Sequence, residues 1–452
     1  LKLRVSVGQT GNSEIGGTSF GYYSTSGNQY VIGGRLVTGV TESQIANPKL
    51  KWETTISRNF GIDFGFLNNR VNGSLEVYWN TTKDLLMAVP VDNTTGYSYQ
   101  FQNFGKTSNR GIELSVNVDV INKGDFRFNV GAIYNYNRNK LDELPNADQY
   151  LYSSYWGSSS LVPTNDYMFV EGKAIGLVRG FISEGYYTVD DFNYTNGQYV
   201  LKEGVPDITK ALTATYMHPY DLPAGQTAFP GAAKFRDVDE SGTVDLDDAT
   251  CLGEVMPRHT GSFQLNFNYK NFDLSTNFNW TAGGKVYNVA AMINASGQEF
   301  DGIGAQRASW VADAFKVYNV NAAGDLYAVT NPDELRALNA NAKYHLPYHQ
   351  SGITSSEWLE NGSYLRLQTL TLGYTLPKNW LTKVHVDKIR LYLTATNLFT
   401  ITGYSGIDPE VNANPTGQSG FYSDLRIFPT LNMDFGTYPR ARTFTFGANI
   451  TF

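Results

Sequence analysis

The sequence predicts an all-β fold: an antiparallel transmembrane β-barrel of about twelve strands, with short periplasmic turns and long extracellular loops. Three observations carry that expectation. The first is the final stretch from Thr443 to Phe452, T-F-T-F-G-A-N-I-T-F, where Phe444, Phe446, Ala448, Ile450 and Phe452 share one face. Strict alternation marks a pleated strand with one apolar side. A barrel's closing strand must stay paired, whereas a soluble sandwich more often ends in a polar tail. Phe444, Phe446, Ile450 and Phe452 are therefore read as a terminal assembly strand. The second observation is that tight turns and loops of tens of residues alternate along the chain. The third is composition: aromatics make up 14% of 452 residues and charged residues only 17%.

The strands follow in order. Residues 1–7, L-K-L-R-V-S-V, alternate from the start, so the chain is expected to enter already in a strand, as a truncated piece would. After a Gly/Ser/Thr-rich stretch, Ile56, Phe60, Ile62, Phe64 and Phe66 line one face of a long strand. Leu67-Asn68-Asn69-Arg70 turns it, and Val71, Leu75, Val77 and Trp79 return. Residues 87–101 read as a loop. Ile112, Leu114, Val116, Val118 and Val120 then face outward, Asn122-Lys123-Gly124 turns, and Phe126, Phe128, Val130, Tyr134 and Tyr136 go back up. A hairpin over 163–188, turning at Glu171-Gly172-Lys173, supplies two more strands. Residues 189–259 are an extracellular insertion. Phe263 to Tyr269 descends, Lys270-Asn271 turns, and Phe272 to Trp280 ascends. A long excursion carries a short helix near Pro332–Leu338. In strand 362–376 the apolar face switches between Leu367 and Leu370, which predicts a bulge. Strands 388–399 and 441–452 complete the set.

Composition excludes several classes of function. A net charge of −7 with scattered basic residues provides no phosphate-neutralising surface, so no nucleic-acid partner is expected. No apolar run reaches the ~18 residues of a membrane helix, and mean hydropathy is −0.31. Cys251 is the single cysteine, which rules out an intrachain disulfide framework, and it reads as a small buried residue. Among candidate catalytic groups, Glu53, Asp63 and Glu113 fall on the inward polar faces, where hydrated lumen carboxylates are the ordinary case. His345 and His349 have ligand-like spacing, but Pro347 breaks any helix between them, so they read as surface histidines. No nucleophile or metallohydrolase motif is present, and no enzyme activity is expected.

One motif has metal-ligand spacing. In D237-V-D-E-S-G-T-V-D-L-D-D248, Asp237, Asp239, Ser241, Asp245 and Asp248 take positions one, three, five, nine and twelve. Gly242 supplies the sharp turn and Thr243 a backbone carbonyl, so oxygen ligands wrap a hard cation. Ca²⁺ in a structural role is the expectation, weakened by Ser at five and Asp at twelve. Trp79, Tyr136 and Trp280, outward near strand ends, read as membrane girdle. Tyr97, Tyr99, Phe101, Tyr152, Trp156, Tyr404 and Tyr422 lie in external loops, where flat rings either stack on sugars or grip a peptide, or serve as loop packing and interfacial girdle.

Several segments also resemble one family. They are N47-P-K-L-K-W-E53, T82-K-D-L-L86, N103-F-G-K-T-S-N-R-G-I-E-L114, N361-G-S-Y-L-R-L367, T371-L-G-Y-T-L-P377, A395-T-N-L-F-T400, Y404-S-G-I-D-P-E410 and Y438-P-R-A-R-T-F-T-F446. Together with the acidic run they are similar, in order, to SusC/RagA-type TonB-linked outer-membrane transporters of Bacteroidetes. That resemblance implies a barrel of about 22 strands with an N-terminal plug. It also implies contact with TonB through that N-terminal part, a SusD-like surface lipoprotein as lid, and import of oligosaccharides or oligopeptides. Residues 1–452 match only the C-terminal half of such a barrel, without plug or first strands. The remaining half of the barrel and outer-membrane lipid are then further partners. Two alternatives stand beside import: a passive or structural outer-membrane barrel, and a secreted soluble β-rich protein that binds carbohydrate.

Overall fold

A computed structural model describes residues 1–12, 21–25, 29–97, 99–144, 149–154, 161–213, 218–296, 308–347, 352–381, 386–411 and 431–452. Ten long strands form one continuous antiparallel sheet in chain order. They are β1 (Lys2–Asn12), β2 (Glu53–Phe66), β3 (Val71–Lys83), β4 (Lys106–Lys123), β5 (Phe126–Glu143), β6 (His259–Tyr269), β7 (Phe272–Ala282), β8 (Tyr364–Thr375), β9 (Lys388–Thr402) and β10 (Thr443–Thr451). Among the described residues the wall has ten strands, not about twelve. The 163–188 hairpin does form, with Tyr167 opposite Val178, but its four-residue strands join a separate four-stranded sheet. Four residues are too few to cross a hydrocarbon layer, which takes roughly 9–11. Both faces of the hairpin are also buried, with Tyr167, Met168, Phe169, Leu177 and Val178 all packed inside. Losing a pair leaves the alternation of strand directions intact, so β10 still runs downward.

Register turns each strand's alternation into rows. Phe128, Phe267, Leu274, Leu372, Leu393 and Phe446 are successive cross-strand partners from β5 to β10. Leu3, Ile62, Leu75, Leu114 and Tyr134 do the same from β1 to β5. Rings stack along these rows, Phe128 on Phe267 at 4.2 Å and Phe263 on Phe278 at 4.6 Å between centroids. The opposite face is polar and joins its own groups: Thr55 to Thr82 at 2.9 Å, Asn59 to Glu76 at 2.9 Å, Ser275 to Asn266 at 2.6 Å. Strand pairing also needs glycine where a large side chain crosses. A Cβ on Gly111 would sit 2.3 Å from the Tyr78 ring, and one on Gly447 2.5 Å from Tyr392.

An apolar face left solvent-facing over a whole sheet is unstable in water; in hydrocarbon it is required, because only closed or fully paired strands satisfy the backbone there. Val5 is 76% exposed and Phe446 73%, and these rows are the lipid-facing surface of an outer-membrane wall. The bulge lies between Leu367 and Thr369, as the switching face requires. The turn after β4 falls on Gly124, with φ +57°, and Asp125, one residue beyond the expected position. The turn after β2 holds Leu67, Asn68 and Asn69 at φ +56°, +53° and +65°.

The described residues of the long connections after β3 are not loose loops. They fold into a layer with its own cores. One gathers Phe181, Tyr187, Phe229, Phe235, Val244 and Phe315; a second gathers Leu141, Tyr167, Val178, Tyr287, Met292 and Trp310. The helix Pro332–Leu338 forms where expected, with Asn331 capping it by accepting from the Asp333 and Glu334 amides and proline in its first turn.

Candidate functional site

Three parts of the molecule bear on function: the polar face, the acidic loop and the aromatic loops. On the polar face Arg366 is 1% exposed although it sits on a wall strand. Its guanidinium donates to Asp408 at 2.5 Å, to Glu410 at 2.8 Å and to the Thr400 hydroxyl at 3.0 Å. Glu410 also meets Arg440 at 2.8 Å. A charge this deeply buried is tolerable only when every donor is met. Both carboxylates that meet it belong to Y404-S-G-I-D-P-E410, so the last external segment is clamped against the polar side of β8 and β9. Lower on the same face Arg4 forks onto Asp63 and reaches Glu76, and Arg390 forks onto Asp273. The inward carboxylate Asp63 is thus a salt-bridge member.

The acidic loop closes on itself. Carboxylate oxygens of Asp237, Asp239 and Asp248 lie within 4.8 Å of one another, a group able to hold a metal ion. Asp248 is buried and organises the turn: one oxygen accepts the Val238 amide at 2.6 Å and the other the Asp245 amide at 2.8 Å. Asp237 accepts the Ser241 and Gly242 amides. Asp239 accepts the Ser241 amide at 3.0 Å, and this bond holds its carboxyl below the ordinary range. Ser241 Oγ donates to the Thr243 carbonyl at 3.0 Å. Asp245 is outside the three-carboxylate group; its side chain caps the next turn by accepting the Asp247 amide. Val244, between ligand positions, is fully buried and pairs with Ile208, which ties the loop to the external core.

Placement of the aromatic candidates differs from expectation. Phe101, Tyr152 and Tyr404 are buried, and a buried ring offers no face to a ligand. Tyr152 stacks on Phe169 at 4.7 Å, and the Tyr404 hydroxyl donates to Asp434 at 2.5 Å. Aromatic density in these loops reflects packing of a folded layer, which the sequence pattern does not distinguish from an open platform. Tyr97 is half-buried, and only the backbone of Tyr99 is described. Trp156 and Tyr422 lie outside the described residues, as does His349. His345 is not a surface histidine: it is buried beside Trp310, 3.8 Å from Glu357. Cys251 is exposed, not buried.

The girdle candidates lie at the upper ends of their strands. Trp79 is 42% exposed on β3, and Trp280 stacks near Tyr134 at 6.1 Å, beside Tyr136 and His259. Next to them a cleft of about 700 Å³ opens at the rim, lined by Glu254, Met256, Arg258, Lys285 and Asn361. Sequence reasoning missed this rim cleft and the Arg366 clamp, since both depend on segments far apart in the chain.

Comparisons with known proteins agree with this architecture. A family model described as TonB dependent receptor-like, beta-barrel matches residues 1–398. TonB-dependent receptor P3 of Formosa agariphila is 30% identical over 453 residues, 100% of this chain and 39% of that protein. TonB-dependent receptor SusC of Bacteroides thetaiotaomicron is 27% identical over 467 residues, 100% and 37% of the two. A solved structure of the RagAB peptide transporter superposes at TM-score 0.67 with 23% identity, over 100% of this chain and 40% of that one, a likeness of fold. The chain spans about 40% of the length of the curated relatives it matches.

Proposed function

Since the chain belongs to the TonB dependent receptor-like β-barrel family, as a SusC/RagA-type member, we propose that it forms part of the wall and external layer of an outer-membrane nutrient importer. The observation that carries this reading is the two-sided wall. Apolar rows run unbroken across the strands on one side. On the other, hydrogen-bonded polar rows meet a folded external layer clamped through Arg366. Such a wall conducts hydrophilic solute along its polar side and excludes it from lipid. Oligosaccharides or oligopeptides are the substrates, a SusD-like lipoprotein covers the external layer, and TonB supplies energy through the rest of the protein. The name of the RagAB peptide transporter supports the peptide alternative. In cells whose only copy is the full-length transporter, uptake of labelled maltooligosaccharides and of labelled oligopeptides should stop when TonB is inactivated. Uptake that continues without TonB, and saturates at no concentration, would instead establish the passive pore.

We further infer that the acidic loop holds Ca²⁺. Its donor set is oxygen only, which suits a hard, flexible-coordination cation. Asp237, Asp239 and Asp248 supply carboxylates, Ser241 adds its hydroxyl and Thr243 its carbonyl, while Asp245 stays the cap of the following turn. The ion braces an external segment and takes no part in chemistry. Calcium at about 1 mM should protect residues 235–250 from protease relative to chelator, with affinity in the range of extracellular sites. The same cleavage rate in both conditions would remove the ion from the account.

A further inference from the structure

The lipid-facing side carries one feature that import does not use. Register places Val7, Arg58, Trp79, Arg110 and Arg138 in a single row across β1 to β5. All three arginines are exposed and share the outward parity of Phe60, Ile112 and Tyr136, directly below them. Arg110 and Arg138 are direct cross-strand partners, about 5 Å apart at Cα. Arg58 lies two strand spacings from Arg110, roughly 10 Å. Like charges set opposite each other destabilise a sheet, more so beside hydrocarbon, where screening is weak. Nearby lysines have their carboxylates: Lys106 meets Glu143 at 2.7 Å and Lys140 meets Asp142 at 3.4 Å. Among the described residues none of the three arginines has an ion-pair partner.

The row also has a defined height. From Arg110 to Val120 the strand descends about 25 Å along the membrane normal at a tilt near 40°, the depth of an outer-membrane apolar band. The arginines therefore stand at headgroup level on the extracellular side. We propose that Arg58, Arg110 and Arg138 form a binding site for the phosphate of an anionic outer-leaflet glycolipid, whose acyl chains lie along the apolar rows beneath. Guanidinium forks match phosphate oxygens in pairs, and one phosphate between Arg110 and Arg138 relieves their repulsion. Arg58 takes a second anionic group across Trp79. A soluble anion would satisfy the charges but not the rows below them.

Native mass spectrometry on the full-length transporter in non-ionic detergent tests this. Phosphorylated lipid A should remain bound, whereas its dephosphorylated form should bind at least about tenfold more weakly. The triple variant Arg58→Gln, Arg110→Gln, Arg138→Gln should lose the difference between the two lipids, while Lys378→Gln at a periplasmic turn keeps it. If the triple variant does not reach the folded, heat-modifiable form, the two lipids are compared on Arg110→Gln alone, where the difference should shrink about threefold. Equal retention of both lipids by the unmodified protein would overturn the proposal. So would inorganic phosphate displacing lipid A at equal concentration, or loss of a protein partner in the variant with lipid binding unchanged.

Discussion

Single residues show how burial sets chemistry in the external layer. Burial pushes His345 down to about 4 and Glu357 up to about 7. His345 Nδ1–H donates to the Leu346 carbonyl at 2.8 Å, and both side chains are neutral in the fold near pH 5.5. On folding, Glu357 takes up a proton between its ordinary 4.5 and about 7, and His345 releases one between about 4 and its ordinary 6.5. Between pH 4.5 and 6.5 the two changes cancel, so this pair leaves stability flat there. Glu357→Gln removes one side of the balance. The unfolded chain then binds one proton more than the folded one, and stability of the layer should rise with pH, by up to about 1.4 kcal/mol per unit relative to wild type. Hydrogen exchange over residues 308–360 at several pH values reads this directly. Parallel pH profiles for variant and wild type would mean that Glu357 does not change protonation on unfolding. The histidine spacing was legible in the sequence; its burial was not, because Trp310 and Glu357 approach it from other segments.

At the level of elements, the acidic loop separates shape from charge. Asp248 accepts amides from both ends of the loop, whereas Asp239 is an exposed carboxylate. Asp248→Ala should therefore open the loop to protease with or without calcium. Asp239→Asn should leave the calcium-free rate unchanged and abolish calcium protection. A calcium response that survives Asp239→Asn would place the ion elsewhere. In the wall, Tyr392 crosses Gly447, so Gly447→Val forces the ring off its neighbour and weakens the β9–β10 pair by about 1–3 kcal/mol. Lower yield of folded, heat-modifiable protein is the expected readout, with Thr445→Val on the same strand as the tolerated control. The strands, most turns and the bulge follow from alternation alone. The 163–188 hairpin shows the limit of that signal, since a short apolar pair packed on both faces reads much like a short wall strand.

For the molecule as a whole, the edges matter most. Among the described strands β1 and β10 each pair on one side only. Unpaired backbone in hydrocarbon costs several kcal/mol per group, so both edges need partners in the intact wall. Residues 1–452 expressed alone should aggregate or remain protease-sensitive in detergent, while the full-length protein should show heat-modifiable migration. A stable, heat-modifiable form of residues 1–452 alone would mean that the ten described strands close on themselves.

Alternation and turn chemistry, both local, determined the wall by themselves: which side of each strand meets lipid, where the chain reverses and which direction β10 runs. The order of the matching motifs carried the family. Tertiary structure alone decided what the long connections do. Phe101, Tyr152 and Tyr404 became core, Asp245 became a cap, and Arg366 was enclosed by Asp408 and Glu410. A strand's face is set by neighbours two residues away, whereas burial in a loop layer is set by segments as much as 264 positions apart, such as Tyr167 and Leu431.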